Sequence, residues 1–245
     1  MLSSFRADAV AAVIGASGGI GNALCQAIAT SGRFSTVHAL SRSATGFDDE
    51  RIVAGTIDTS DEASVAAAAE KVSASGPLDL VIVASGILHR DSLQPERALR
   101  QIDTGNMAEV FLVNTIGPTL VAKHFLPLMN RDDKSVFGAI SARVGSIEDN
   151  RKGGWVSYRS SKAALNMVIK TLSIEHSRRF KKGVVAGLHP GTVATGLSEP
   201  FSSRVPQENL FDPALSASHL LTVVDGLTPE DTGGLFAWDG SRIPY

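Results

Sequence analysis

Short apolar runs alternate along the chain with longer stretches of helical periodicity. Ala9–Ile14 (AVAAVI) holds no polar residue and stops at Gly15, which predicts a buried strand. Ile20–Ser31 is rich in Ala, Leu and Ile and ends at Gly32, as a helix with a glycine stop does. Strand-like runs follow at Thr36–Leu40 and Ile52–Thr56. Ser60–Ala74 reads as a helix, with Ser60 as candidate cap, Asp61 and Glu62 in the first turn, and Val65 and Val72 one heptad apart. Leu78–Ala84 (LDLVIVA) predicts a strand, and Met107–Met129 a long helix interrupted by Pro118. Ser135–Ile140 is strand-like. Trp155–Phe180 is a long helix whose apolar face carries Leu165, Val168, Ile169 and Leu172. Val184–Leu188 is a strand, Ala214–Val224 a helix and Gly234–Trp238 a final short strand. Pro190–Pro213 shows neither period, is rich in Pro, Ser and Gly, and exceeds an ordinary loop, which predicts a lid.

Strands and helices alternate throughout, and parallel strands need such crossovers. The expected fold is therefore α/β: a single doubly wound, Rossmann-type domain over residues 1–245, with a mostly parallel sheet of about seven strands and helices on both faces. Composition agrees, with 43% apolar and 20% charged residues among 245. A net charge of −2 gives no electrostatic case for nucleic acid or an anionic membrane. No apolar run approaches the roughly 20 residues of a membrane span. The one cysteine, Cys25, has no partner for an internal disulfide, which fits a reducing compartment, and the start reads as mature sequence. A cytoplasmic location is expected.

The first predicted strand runs into Gly15-Ala-Ser-Gly18-Gly19-Ile-Gly21, and a helix follows. Gly15 permits a tight exit, Gly19 lets backbone approach a ligand, and Gly21 lets the helix lie close to the sheet. The helix start then offers free N–H groups to a diphosphate. The competing reading is a tight turn with no ligand. Downstream, Tyr158 and Lys162 stand four apart on a predicted helix and share a face. A phenol is a weak acid at neutral pH, and a neighbouring ammonium is expected to lower its pKa. Asn114 precedes Pro118 by four residues, so its carbonyl loses its helical partner.

With these features in place, the chain resembles the short-chain dehydrogenase/reductase family. Gly15, Gly19 and Gly21 match the family's Gly-x-x-x-Gly-x-Gly turn; Ala84-Ser85-Gly86 matches its Asn-Ala-Gly turn; Tyr158-Arg-Ser-Ser-Lys162 matches Tyr-x-x-x-Lys; Pro190-Gly191 follows strand six. The stretches ISARVGSIEDN, GGWVSYRSSKAALN and FAWDGSRIPY resemble the branch containing C-factor-like proteins and small carbonyl reductases. The resemblance implies a catalytic set of Tyr158, Lys162, Asn114 and Ser141. Ala142 occupies the register at which family members carry their substrate-contacting serine. Ser141 is one residue early and faces away on an ideal strand, unless a bulge shifts the phase; Ser146 is a distant substitute. Cofactor contacts are implied at Gly15, Ser17, Gly19, Ile20, Gly21, Ser41, Arg42, Asp58, Ala84, Gly86, Tyr158, Lys162, Pro190 and Thr192, with no metal.

NAD-binding domains place an acid at the end of the second strand. Here His38-Ala-Leu-Ser41-Arg42 offers none, and Arg42 with Ser41 suits a 2′-phosphate. NADP(H) is therefore preferred to NAD(H). Asp58 suits the adenine amino group or caps a helix. The expected activity is NADP(H)-dependent interconversion of a small carbonyl compound and its alcohol, in a homodimer or homotetramer. The apolar residues Leu197, Phe201, Val205, Leu210 and Phe211 suit a small hydrophobic substrate. The alternative is a dinucleotide-binding signalling or regulatory protein with weak or no catalysis. A sugar-nucleotide epimerase is disfavoured by the short stretch after Pro213. His89 could line the substrate mouth and Trp155 pack the pocket wall, but with Lys181 and Lys182 they read more simply as loop, packing and helix-end residues.

Overall fold

The computed structural model describes residues 1–90, 93–198, 206 and 210–245. Strands β1 (Ala9–Ile14), β2 (Phe34–Ser41), β3 (Ile52–Thr56), β4 (Leu80–Val83), β5 (Ser135–Ile140), β6 (Gly183–His189) and β9 (Leu235–Ala237) form one sheet. Its order is β3-β2-β1-β4-β5-β6-β9, and every neighbouring pair is parallel. All six residues of β1 are buried, because helices cover both faces. Alternation along the strand divides them. Ala9, Ala11 and Val13 face α1 (Gly19–Thr30) and α6 (Pro213–Gly226), meeting Leu24, Ile28, Leu220 and Val224. Val10, Ala12 and Ile14 face α2 (Glu62–Ser73), α4 (Gly117–Phe125) and α5 (Val156–His176), meeting Val65, Phe125 and Ile169. The expected doubly wound α/β architecture is what the chain adopts.

Successive strands proceed outward from β1 in one direction and from β4 in the other. The crevice at the carboxyl ends of β1 and β4 is thus the place where such sheets bind ligands.

Three local readings change. Asp61, not Ser60, caps α2, accepting from Ala63 N at 3.0 Å. The long helix expected over Met107–Met129 is α3 (Thr104–Phe111), a π-helical turn over Leu112–Ile116, and then α4. Pro118 sits in the first turn of α4, where its missing N–H is tolerated. The expected irregular stretch 190–213 contains β7 (Thr192–Val193) paired with β8 (Leu210–Phe211). The expected lid, with Phe201 and Val205, falls largely outside the described residues.

Candidate active site

β1 ends in the glycine turn, where Gly15 has φ 93°, a conformation that disfavours a side chain. A Cβ there would stand 2.8 Å from the backbone nitrogen of Ser85, so the turns after β1 and β4 pass in direct contact. A Cβ on Gly21 would lie 2.1 Å from the Gly15 carbonyl oxygen, which seats α1 on the turn. Gly18 gives the helix no side-chain cap, leaving its first N–H groups for an anion.

A cleft of about 350 Å³ opens over these turns. Of the expected residues it brings together Gly15, Ser17, Ser41, Arg42, Asp58, Ala84 and Gly86. Gly19, Ile20 and Gly21 lie beside it at the start of α1. Pro190 accepts from Ser216 Oγ at 3.0 Å, and Thr192 belongs to β7. Ser41 is buried, and its hydroxyl donates to the Ser43 carbonyl at 2.6 Å. Asp58 Oδ1 accepts from Ser60 Oγ at 2.6 Å and Ser60 N at 2.9 Å. Those bonds, and then the Arg42 charge, hold its carboxyl below the usual carboxylate range. Arg90, Val113 and Ser85 also line the cleft and were not among the expected site residues. The Ala84-Ser85-Gly86 motif itself pointed to Ser85.

Tyr158 and Lys162 lie on the first two turns of α5. Lys162 is buried, and Nζ donates to the Ile140 carbonyl at 2.8 Å. It stands 5.9 Å from the centre of the Tyr158 ring. A Cβ on Gly86 would be 3.7 Å from that Nζ and 3.4 Å from Asn114 Oδ1, so Lys162 and Asn114 stand behind the cleft wall at Gly86; they and Tyr158 adjoin the cleft and do not line it. The expected lowering of the phenol by the ammonium is absent. Burial pushes Tyr158 up to about 12 and Lys162 down to about 8. The phenol is thus held protonated at neutral pH.

Asn114 is buried in the π-turn. Its Oδ1 accepts from Ile87 N and its Nδ2 donates to Ile87 O, both at 2.8 Å, while Nδ2 also donates to Ser161 Oγ at 3.2 Å. It is a strut between the turn after β4 and α5. Ser141 does not line the cleft. It is 2% exposed, and its hydroxyl donates to Asn166 Oδ1 at 2.6 Å. The β5–β6 register runs unbroken to Ile140, and Ser141 N goes on to donate to Leu188 O at 2.8 Å, so Ser141 keeps the strand phase and faces Asn166 on α5. Ala142, with extended backbone (φ −150°, ψ 145°), takes the other side. Asn166, eight residues past Tyr158, was not read from the sequence; nothing along the chain marks it as the serine's partner. His89 Nε2 lies 2.9 Å from the Gly196 carbonyl. Trp155 meets the Tyr158 ring edge-on at 6.3 Å. Cys25 is buried in α1, and Lys181 donates to Ser177 O near the end of α5 at 3.1 Å.

The residues present fit a dinucleotide. Ser85 Oγ is buried at the cleft wall without a partner, beside an uncapped helix start and a glycine turn that admits no side chain. Among the described residues no cluster of His, Cys, Asp and Glu is arranged to hold a metal ion. No helix among them is long and apolar enough to cross a membrane.

Residues 9–205 match the family model of the short chain dehydrogenases. The chain belongs to that family. The C-signal protein of Myxococcus xanthus is 32% identical over 170 residues, covering 69% of this chain and 94% of its own. The 1-hydroxy-2-glutathionyl-2-methyl-3-butene dehydrogenase of Rhodococcus sp. (strain AD45) is 36% identical over 194 residues, covering 77% of this chain and 78% of that one. Among solved structures, the NADPH-bound carbonyl reductase from chicken fatty liver superposes with a TM-score of 0.84 at 27% identity, over 98% of this chain and 100% of that one. The chain is therefore an oxidoreductase-family member on the C-factor-like and carbonyl reductase branch.

Proposed function

We propose that this chain is an NADP(H)-dependent oxidoreductase that interconverts a small carbonyl compound and its alcohol. The observation that carries the reading is the meeting of Lys162 and Gly86, which joins the Tyr158 helix to the dinucleotide cleft. When bound, the nicotinamide supplies or accepts the hydride. Tyr158 donates its phenolic proton to the carbonyl oxygen, and in the reverse direction its phenolate form takes the proton from the alcohol. Lys162 holds the nicotinamide ribose, and Asn114 keeps the turn at Ile87 fixed against α5. Ser17 and the α1 start hold the diphosphate with Gly19, Ile20 and Gly21; Asp58 accepts from the adenine; Ala84, Pro190 and Thr192 flank the cofactor. Arg42 grips the 2′-phosphate, with Ser41 donating once its hydroxyl turns from Ser43. The absence of an acid at the end of β2 and the NADPH-bound carbonyl reductase neighbour both support NADP(H) over NAD(H). Met167 and Ile174, 67% and 52% exposed on α5, support a homodimer or homotetramer. Residues 1–245 act as one domain, and the single buried Cys25, with no partner for an internal disulfide, is compatible with a cytoplasmic location.

A second reading has its own support. With Ala142 in the serine register and a C-signal relative, the chain is a dinucleotide-binding regulatory protein with slow catalysis. One experiment separates the two. Aldehydes and ketones are screened with NADPH and NADH, and both cofactors are titrated by fluorescence. Turnover with tighter NADPH binding supports the first reading. NADPH binding without turnover supports the second, and equal affinities end the NADP(H) preference.

A further inference from the structure

The catalytic helix begins in an unusual way. Gly153, Gly154 and Trp155 lead into α5 with φ of 61°, 68° and 52°, all in the left-handed region. That conformation is strained for a bulky residue such as tryptophan. A helix ordinarily starts from an extended residue whose own side chain accepts from the first turn. Trp155 provides no such cap. The acceptor comes instead from Glu96, 61 residues before the Ser157 whose N–H it accepts.

Glu96 is 4% exposed and Ser157 is 3% exposed. Glu96 Oε2 accepts from Ser157 N at 3.2 Å, and Oε1 accepts from Ser157 Oγ. The Glu96 carbonyl accepts from Trp155 N at 2.6 Å. One residue therefore holds the helix at its cap and its second residue, immediately before Tyr158. The carboxylate also lies at the positive end of a 21-residue helix, where its charge is favoured. From the next turn onward α5 has other anchors. Ser161 O accepts from Thr115, Lys162 donates to Ile140 O, and Leu165 and Ile169 sit in the core. The first turn, which carries the tyrosine, is capped among the described residues by Glu96 alone, while the Arg159 guanidinium ties the preceding Gly153 and Gly154 carbonyls and Val144 O to the helix.

We propose that Glu96 is a positioning residue that sets Tyr158 by capping the catalytic helix from a distant segment. It acts through Ser157 and Trp155 and touches neither substrate nor cofactor. The inference rests on the reading of Tyr158 as the proton donor.

The test compares Glu96→Ala and Glu96→Gln in the full chain, using a carbonyl compound that the unmutated chain reduces. Glu96→Ala should lower kcat by about 10- to 100-fold, the usual effect of misplacing a reacting group by an ångström. NADPH affinity and KM should stay unchanged, because Lys162 keeps its own anchors. Glu96→Gln keeps an acceptor for Ser157 N and should recover most of the loss. In parallel, amide exchange is followed along α5. Glu96→Ala should speed exchange at 155–159 by about tenfold or more and leave 165–173 as it was. If Glu96→Ala fails to fold, Ser157→Ala takes its place, with the same pattern expected. Unchanged kcat with unchanged exchange would overturn the proposal. So would a joint loss of kcat, NADPH affinity and protection along the whole helix in both variants. If the unmutated chain reduces no carbonyl compound, the oxidoreductase reading has failed. The exchange pattern then decides Glu96 alone: loosening confined to 155–159 upholds the clamp, and any other pattern removes it.

Discussion

Ser141 and Ala142 show how much one position along a strand decides. The Ser141 hydroxyl is committed to Asn166 at 2.6 Å, and both residues are buried. Ser141→Ala should therefore leave kcat nearly unchanged and cost about 1–3 kcal/mol of stability, because Asn166 loses a buried donor; urea unfolding and steady-state kinetics check both. Ala142→Ser restores a hydroxyl on the opposite side of the backbone. It should raise kcat by up to about 10²-fold, since one oxyanion donor has that order of worth. Equal or lower kcat would show that this register does not face the substrate. For Tyr158→Phe, the ring packing against Trp155 survives and only the hydroxyl goes. Hydride transfer should fall by about 10²–10⁴ while NADPH affinity holds, as single-turnover kinetics and fluorescence titration would show. Alternation along the strand made the serine's direction legible from sequence. Its partner was not, because Asn166 looks like any polar residue on a helix until α5 is laid against β5.

Elements were legible wherever a period or a glycine marks them. Each of the seven sheet strands falls on an apolar run, and the turn after β1 falls on its three glycines. Gly21→Ala tests that turn, since the new methyl group would fall 2.1 Å from the Gly15 carbonyl oxygen. It should destabilise by at least the upper part of the about 1–3 kcal/mol typical of overpacking, and weaken NADPH binding as the turn moves. Melting curves and cofactor titration report each effect. The elements that escaped reading depend on distant partners. The π-turn around Asn114 is matched to the Ile87 backbone, and the start of α5 to Glu96. Both partners lie many residues away, so no local pattern announces them.

Across the whole molecule, the pH response follows from what folding buries. Desolvation holds His176 and His189 near 4 in the folded chain, against 6.5 when exposed. Below 6.5 the unfolded chain binds more protons, so stability should be full above that value and fall steadily as pH drops towards 4. Lys162, lowered from 10.5 to about 8, acts at the other end, where stability should rise between those values. Melting temperature against pH checks both limbs, and His176→Phe should flatten the acid one. The remaining whole-molecule feature is the small β7–β8 ribbon. It belongs to a sheet of its own, with Thr192 beside Leu210 and Val193 beside Phe211. Residues 194–209 therefore join two strands that lie side by side, and the Gly196 carbonyl within them stands 2.9 Å from His89 Nε2. Closing a longer segment across such a pair is cheap, about 0.6 kcal/mol for each doubling of length. The segment is thus a replaceable cassette. Exchanging 194–209 for the matching piece of a relative should change which carbonyl compound is reduced, while the choice between NADPH and NADH stays behind with Arg42.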